Sequence, residues 1–175
     1  MGSEKRQPDE AGSSDRFSAF SAPLRPIRRL PKEKTSGATV WSAGDRDDQE
    51  YPEKELTGRI IGCAIAVHRE LGPGFLEAIY ERAMAHELAK AGLKFSTQYV
   101  VKVFYDGVEV GEHRVDILVE GKVVVELKSV ETVTDKHLAQ VISTLKAVGA
   151  KVGLLINFDE PRLAHGVRRV VLSHS

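Results

Sequence analysis

Apolar residues between positions 56 and 91 recur at intervals of three and four, the spacing of a helix with one buried face. They fall into two sets, because Gly72-Pro73 follows the first and Gly92 follows the second. Glycine favours the end of a helix, and proline cannot continue one. The pattern therefore predicts two consecutive helices, over residues 56–71 and 76–91.

Positions 95–128 are rich in β-branched and aromatic residues, as strands are. Asp106-Gly107 is a strong hairpin signal, and Glu120-Gly121 marks a second turn. We therefore expect an antiparallel meander of three strands, at residues 95–105, 108–119 and 122–128.

The rest of the pattern predicts one more helix and one more strand. The helix covers residues 134–148, and the strand is the apolar run 152–157. Such a run is typical of a strand that follows a crossover helix and is buried on both faces. The predicted order is α-α-β-β-β-α-β, an α/β fold.

The first 50 residues show no such periodicity. They hold four of the seven prolines and many serine, glycine and charged residues. This composition buries too little apolar surface to offset the entropy lost on ordering. We expect a disordered tail or linker over residues 1–50 and one globular domain over 51–175. Within the tail, the basic segment 23–34 either touches phosphates or is a solvated linker.

The chain carries 25 Lys+Arg and 25 Asp+Glu. Net neutrality excludes binding of polyanions through bulk charge alone, so a nucleic-acid contact requires a local basic surface. Cys63 is the only cysteine, and its apolar surroundings predict a buried thiol in a reducing compartment. No apolar run reaches the roughly 18 residues of a membrane span, and the amino terminus lacks a secretory pattern. We expect a cytoplasmic protein with no membrane partner.

Two acids and a lysine are the strongest candidates for chemistry. Asp116 lies in the second predicted strand, and Glu126 and Lys128 share one face of the third. Neighbouring carboxylates suit Mg²⁺, which prefers oxygen ligands, acidifies water and neutralises charge on phosphate. Lys128 would then hold or deprotonate the attacking water, a role that is helped if burial lowers its pKa.

The turn between these strands decides whether the two acids meet. A two-residue turn at Glu120-Gly121 pairs Asp116 with Val125 and puts it on the face opposite Glu126. An odd loop centred on Gly121, or a bulge, sets Asp116 across from Glu126. The sequence leaves both registers open.

The helices offer further polar residues. Glu77 either faces the polar end of the sheet or is a first-turn acid favoured by the helix dipole. Along the later helix, His137, Gln140 and Thr144 point either toward the same site or toward solvent. Arg168 and Arg169 are candidate nucleic-acid contacts, or else part of a solvated helix face.

Other chemistries lack their characteristic motifs. The six histidines have no paired metal-ligand spacing, and with one cysteine no structural zinc site is expected. Neither the phosphate-binding pattern GxxxxGK[ST] nor the nucleophile pattern GxSxG occurs.

Three separated motifs resemble the GxxExxY family, which is placed in the PD-(D/E)XK nuclease superfamily. They are G-F-L-E-A-I-Y at 74–80, E-L-K at 126–128 and G-L-L-I-N-F at 153–158. The resemblance covers about residues 56–171. It implies a restriction-endonuclease-like core, in which helices flank a mixed four-stranded sheet, and an activity that commonly cuts DNA with Mg²⁺.

The catalytic set that the resemblance implies is Glu77, Asp116, Glu126, Lys128 and Gln140. Asp116 and Glu126 would ligate the metal, and Lys128 would assist the water. The family usually has an aromatic residue four positions after the glutamine, where this chain has Thr144.

These observations favour a Mg²⁺-dependent nuclease that hydrolyses phosphodiester bonds in DNA, with Mn²⁺ as an alternative cation. The other hypothesis is a non-catalytic module of the same fold that binds nucleic acid or a protein partner. Net neutrality and Thr144 favour the module, whereas Asp116 and Glu126 oppose it because adjacent acids repel phosphate. The sequence leaves the oligomeric state open, although a homodimer would let two sites cut both strands.

Overall fold

A computed structural model describes residues 33–35, 37–42 and 51–172 of the chain. In these ranges four helices and seven strands follow one another. The helices are α1 (Lys54–Leu71), α2 (Glu77–Lys90), α3 (Asp135–Val148) and α4 (Leu163–Gly166). The strands are β1 (Glu33–Thr35), β2 (Ala38–Ser42), β3 (Phe95–Tyr105), β4 (Val108–Val119), β5 (Val123–Lys128), β6 (Val152–Asn157) and β7 (Val167–Leu172).

The described strands form one mixed sheet in the order β1-β2-β7-β6-β5-β4-β3. β3, β4 and β5 pair as an antiparallel meander, while β5 and β6 run parallel. Parallel neighbours need a crossover connection, which α3 provides. The carboxyl ends of β5 and β6 therefore meet at one edge, where Lys128 lies opposite Asn157.

Helices cover both faces of the sheet. α1 and α2 pack on one face through residues such as Ile60 and Met84. α3 packs on the other face through Leu138, Val141 and Leu145. β6 is buried along its whole length, as expected for a strand between two helical layers. Together the two apolar cores fix the helices relative to the carboxyl end of β5.

The predicted α/β class and the order α-α-β-β-β-α-β are confirmed from α1 to β6. Asp106 and Gly107 both have positive φ, 50° and 77°, as the predicted two-residue hairpin turn requires. Cys63 is buried, also as predicted. None of the four described helices combines the length and the hydropathy that a membrane-spanning segment needs.

The expectation of a four-stranded sheet is wrong, because β1, β2 and β7 extend it. β1 and β2 lie in the predicted tail, so a boundary at residue 50 is wrong for residues 33–35 and 38–42. β2 pairs along its length with β7 and buries Ala38 and Val40. Trp41 stacks on Tyr51, with ring centroids 6.3 Å apart. Most of the tail, including residues 23–32 of the basic segment, lies outside the described residues.

Gly166 is expected to tolerate no side chain. A Cβ built there lies 2.2 Å from the backbone oxygen of Asn157. Gly166→Ala should therefore lower the free energy of unfolding by about 1–3 kcal/mol, as overpacking usually does. Gly62 lies in α1 with nothing within 4 Å of the added Cβ, so Gly62→Ala should raise stability by up to about 1 kcal/mol. Urea unfolding checks both, and equal effects of the two substitutions would contradict the steric argument.

Candidate functional site

The loop between β4 and β5 sets the register of the two candidate acids. The last pair of the ladder is Val119 with Val123, which leaves a three-residue loop centred on Gly121. Continuing the same register along the strands places Asp116 opposite Glu126. The odd loop is therefore the one that the chain adopts, and it brings the two carboxylates to the same point of the sheet.

Asp116 interrupts the pairing of β4 with both of its neighbours. On one side, the pair of Asp116 with Gln98 is missing from the β3–β4 ladder, and Gln98 has a φ of 51°. On the other side, the paired residues of β4 stop at Ile117. Asp116 Oδ2 instead accepts a hydrogen bond, 2.8 Å long, from the backbone N–H of Leu127. The carboxylate is thus held between two strands, beside Glu126.

Glu126 is almost wholly buried, with its side chain 2% exposed. Its Oε1 accepts hydrogen bonds from Lys128 Nζ at 3.0 Å and from Gln140 Nε2 at 2.6 Å. Its Oε2 is also buried and has no hydrogen-bond partner among the described residues. A buried polar atom without a partner costs about 1–3 kcal/mol, a cost that a ligand bound to this oxygen would remove.

The amino-terminal end of α2 meets the residue that follows β5. Glu77 Oε1 accepts a hydrogen bond from the backbone N–H of Ser129 at 3.2 Å. The hydroxyl of Ser129 donates in turn to the carbonyl oxygen of Phe75 at 2.7 Å. Of the two interpretations of Glu77, the structure therefore supports the one in which it faces the end of the sheet. The negative charge of Glu77 contributes to the raised pKa values of Asp116 and Glu126.

Gly74 and Tyr80 build the turn that presents Glu77. Gly74 has a φ of 101°, a conformation that favours glycine. The buried hydroxyl of Tyr80 donates to the carbonyl oxygen of Gly72 at 2.7 Å and accepts from the N–H of Phe75 at 3.2 Å. The Tyr80 ring stacks on Phe158, with centroids 4.3 Å apart. The first and last of the three sequence motifs are therefore in direct contact.

Gln140 is the one polar residue of α3 that contacts the acids directly in the described structure. Thr144 is buried, donates to the carbonyl oxygen of Gln140 at 2.9 Å, and pairs with His113 Nε2 at 2.7 Å. His137 instead accepts from the backbone N–H of Thr134 at the start of α3. The departure at Thr144 thus leaves the contact between Gln140 and Glu126 in place.

The pKa values of all three central groups are raised, but the physical cause differs between the acids and the lysine. Burial raises the pKa of Asp116, against the lowering effects of the Leu127 N–H and Lys128. Burial, followed by the charge of Asp116, raises the pKa of Glu126. Burial alone would lower the pKa of Lys128, but the surrounding carboxylates, Glu126 foremost, raise it above its ordinary value. The net shift is upward, opposite to the lowered pKa that would help Lys128 act as a base, and Lys128 is a cation at neutral pH.

Asn157 is a structural support of the site that the sequence analysis missed. Its side chain is fully buried, accepts from the N–H of Val130 at 3.0 Å and donates to the carbonyl oxygen of Val130 at 2.7 Å. These bonds fix the loop directly after Lys128. The sequence does carry a signal for this role, because Asn157 is a polar residue at the end of an otherwise apolar strand.

Arg168 and Arg169 lie in β7, so the interpretation as a solvated helix face is wrong. Successive strand residues point to opposite faces. Arg168 donates to the carbonyl oxygen of His165 at 2.7 Å. The Arg169 guanidinium lies 4.1 Å from the centre of the Tyr51 ring. These contacts are intramolecular, and a role in nucleic-acid binding stays a prediction.

The donor set fits a hard divalent cation that keeps part of its water shell. Asp116 and Glu126 offer two carboxylates, and Oε2 of Glu126 is buried without a partner among the described residues. In the described part of the chain, no three His, Cys, Asp or Glu residues form a cluster able to hold a metal by themselves. Mg²⁺ commonly binds through one or two carboxylates together with waters and substrate phosphates.

Comparison with known proteins gives the family. The search of curated proteins found no match. A family model described as the PD-(D/E)XK nuclease superfamily matches residues 54–170, the span from the start of α1 to β7. The mixed sheet between helical layers is consistent with a restriction-endonuclease-like fold. Since the match covers more than half of the chain, this protein belongs to the PD-(D/E)XK nuclease superfamily.

Proposed function

We propose that this protein is a Mg²⁺-dependent nuclease that hydrolyses phosphodiester bonds in DNA, with Mn²⁺ as a substitute cation. The observation that carries the proposal is the buried Oε2 of Glu126, which lacks a partner among the described residues and lies beside Asp116 and Lys128. A purely structural carboxylate at this depth would be expected to satisfy both oxygens.

Each residue has a separate task in this proposal. Asp116 and Glu126 bind the cation, and the Leu127 N–H and Gln140 hold their carboxylates in place. Glu77, at the start of α2, adds negative charge beside them. When bound, the cation acidifies water and neutralises charge on the phosphate.

Lys128 acts as a fixed positive charge. Its ammonium group is held by Glu126, and its raised pKa keeps it protonated at neutral pH. An ammonium in this position donates hydrogen bonds to a phosphate oxygen or to the attacking water and stabilises the negative charge that develops. Removing a proton from water is not among its tasks.

We also assign the chain to the GxxExxY group of the superfamily. Gly74 shapes the turn before α2, Glu77 faces the acids and Tyr80 ties the turn to Phe158. Each residue of the motif thus has a physical task at the site. The buried single cysteine, Cys63, agrees with a cytoplasmic location, where thiols stay reduced.

Calorimetry followed by a cleavage assay tests the proposal. The full chain should be titrated with MgCl₂ or MnCl₂, alone and with a short DNA duplex containing a phosphorothioate backbone. We expect the wild type to bind the cation and to cut an unmodified duplex only when the cation is present. The double variant Asp116→Asn, Glu126→Gln should do neither while keeping its fold.

A parallel assay with single-stranded DNA and with RNA of the same sequence identifies the substrate. Preferential cleavage of RNA would overturn the DNA assignment and keep the nuclease. A wild-type chain that binds no cation with or without duplex, and cuts no nucleic acid, would overturn both the DNA assignment and the nuclease activity. That outcome would favour a non-catalytic module.

A further inference from the structure

The hairpin of β3 and β4 concentrates exposed apolar side chains beyond the candidate site. Of ten large hydrophobic residues that are exposed in the described part of the chain, six lie on this hairpin: Tyr99, Val100, Phe104, Tyr105, Val108 and Val110. Phe104 is 60% exposed and Tyr105 is 77% exposed. Exposed apolar clusters of this kind usually mark an interaction surface.

The same hairpin supplies an open sheet edge. β3 is the terminal strand of the sheet, and within the described residues it pairs only with β4. It is 11 residues long and contains no proline. Its single charged residue, Lys102, is paired with Glu109 at 2.8 Å. Long edge strands with few charges readily pair with another strand.

The charges of the hairpin disfavour nucleic acid as its partner. Between residues 99 and 114 there are two basic residues, Lys102 and Arg114, against three acids, Asp106, Glu109 and Glu112. Phosphate binding needs an excess of cations. An apolar surface without such an excess fits another protein surface of the same kind.

We propose that this edge is a homodimer interface, in which β3 pairs antiparallel with β3 of a second copy. A two-fold axis lets one strand satisfy the open N–H and C=O groups of the other and brings the two sets of apolar side chains together. We expect the two-fold axis to pass through β3 at a position other than Lys102, because on the axis the two Lys102 side chains would lie opposite each other and repel. This proposal does not depend on nuclease activity.

The dimer gains contact area from the side chains and the backbone of β3. Of the six exposed residues, Val108 and Val110 lie on β4, one strand away from the edge, which leaves Tyr99, Val100, Phe104 and Tyr105 on the pairing strand. At roughly 100 Å² each, given that a fully covered aromatic side chain buries about 150–250 Å², these four provide on the order of 400 Å² per protomer. Their area alone corresponds to a weak, concentration-dependent interface. The backbone pairing of β3 adds to this.

Sedimentation velocity of the full chain over a range of concentrations tests the proposal. We expect the wild type to be dimeric and the double variant Val100→Lys, Phe104→Lys to be monomeric. Four added charges in the two-fold interface should raise the dissociation constant at least about 100-fold, because like charges are costly there. Ile65→Lys is the matched control, since Ile65 is 40% exposed on α1 and should leave the dimer intact.

Single-cysteine cross-linking gives a second readout if the double variant fails to fold. Positions 99–105 are changed to cysteine one at a time, with the buried Cys63 left in place. We expect oxidation to join two chains at the position on the axis and not at every position along β3. A monomeric wild type overturns the proposal. So does a dimer that the lysine variant leaves intact and that no cysteine variant cross-links. A monomer that loses DNA affinity in the lysine variant overturns it too and assigns the hairpin to the substrate.

Discussion

Glu126→Gln is expected to abolish metal-dependent cleavage while leaving the fold intact. The amide keeps an oxygen for Lys128 and Gln140 to bind, but it replaces Oε2, which has no partner in the described part of the chain, with an N–H₂ group. The anionic ligand is lost without a change of shape. We expect the rate to fall at least about 1,000-fold, since losing even a supporting partner of a metal ligand costs about 10- to 100-fold. Single-turnover kinetics at saturating Mg²⁺ measure the loss.

The matched control is Glu70→Gln, which alters an exposed glutamate of α1 and should leave the rate unchanged.

Stability of the metal-free protein gives an independent readout. The raised pKa values of Asp116 and Glu126 mean that the folded chain holds protons that the unfolded chain has released. Wild-type stability should therefore fall as the pH rises from the ordinary carboxyl range through these raised values. Glu126→Gln should weaken this dependence, and an unchanged dependence would contradict the burial argument.

Lys128→Met is expected to reduce cleavage by at least about 100-fold, as the loss of one stabilising donor in an active site commonly does. Methionine keeps the apolar part of the side chain but removes the ammonium group. Cation binding should persist or become tighter, because a positive charge beside Asp116 and Glu126 is gone. Calorimetry and single-turnover kinetics, performed on the same preparation, separate the two effects.

Lys128→Arg distinguishes a fixed charge from a base. Arginine stays protonated, so it should restore part of the activity if the positive charge matters. If Lys128 acted as a base instead, the wild-type cleavage rate should rise with pH through the alkaline range. The arginine variant should then be inactive. Lys122→Met, in the loop at the opposite end of β5, should have no effect on the rate. An arginine variant as inactive as the methionine variant, with normal cation binding, would contradict the charge role.

Much of the fold follows from periodicity along the chain. The helices and strands between α1 and β6 were predicted because each buries one face or both, and burial leaves a regular mark on the sequence. β2 and β7 lack such a regular pattern of apolar residues. β2 is five residues long in a region rich in glycine, serine and proline, and it pairs along its whole length with β7, which is distant in sequence. In β7, two adjacent arginines interrupt an apolar run and hide its strand character.

The candidate site was predictable in its residues and not in its geometry. Glu126 and Lys128 share a face because they are two apart in a strand, which needs no further information. The meeting of Asp116 with Glu126 depends on one residue in the loop at Gly121, and a two-residue turn fits the same sequence. The raised pKa of Lys128 is due first to Glu126 in the same strand, but Glu77 of α2 and Asp116 of β4 add to it from other elements. Such charges become neighbours only in the folded chain.

The position of β7 has a consequence for how the protein is made. This strand is the last described element to leave the ribosome, yet it lies inside the sheet, between β6 and β2. Until β7 is synthesised, β2 can pair only with β1, and β6 presents an open edge. Unpaired edges of this kind favour aggregation of incomplete chains. A premature stop before residue 167 should therefore yield an aggregation-prone fragment with an incomplete sheet, and β1 and β2 can join the sheet only after β7 has been synthesised.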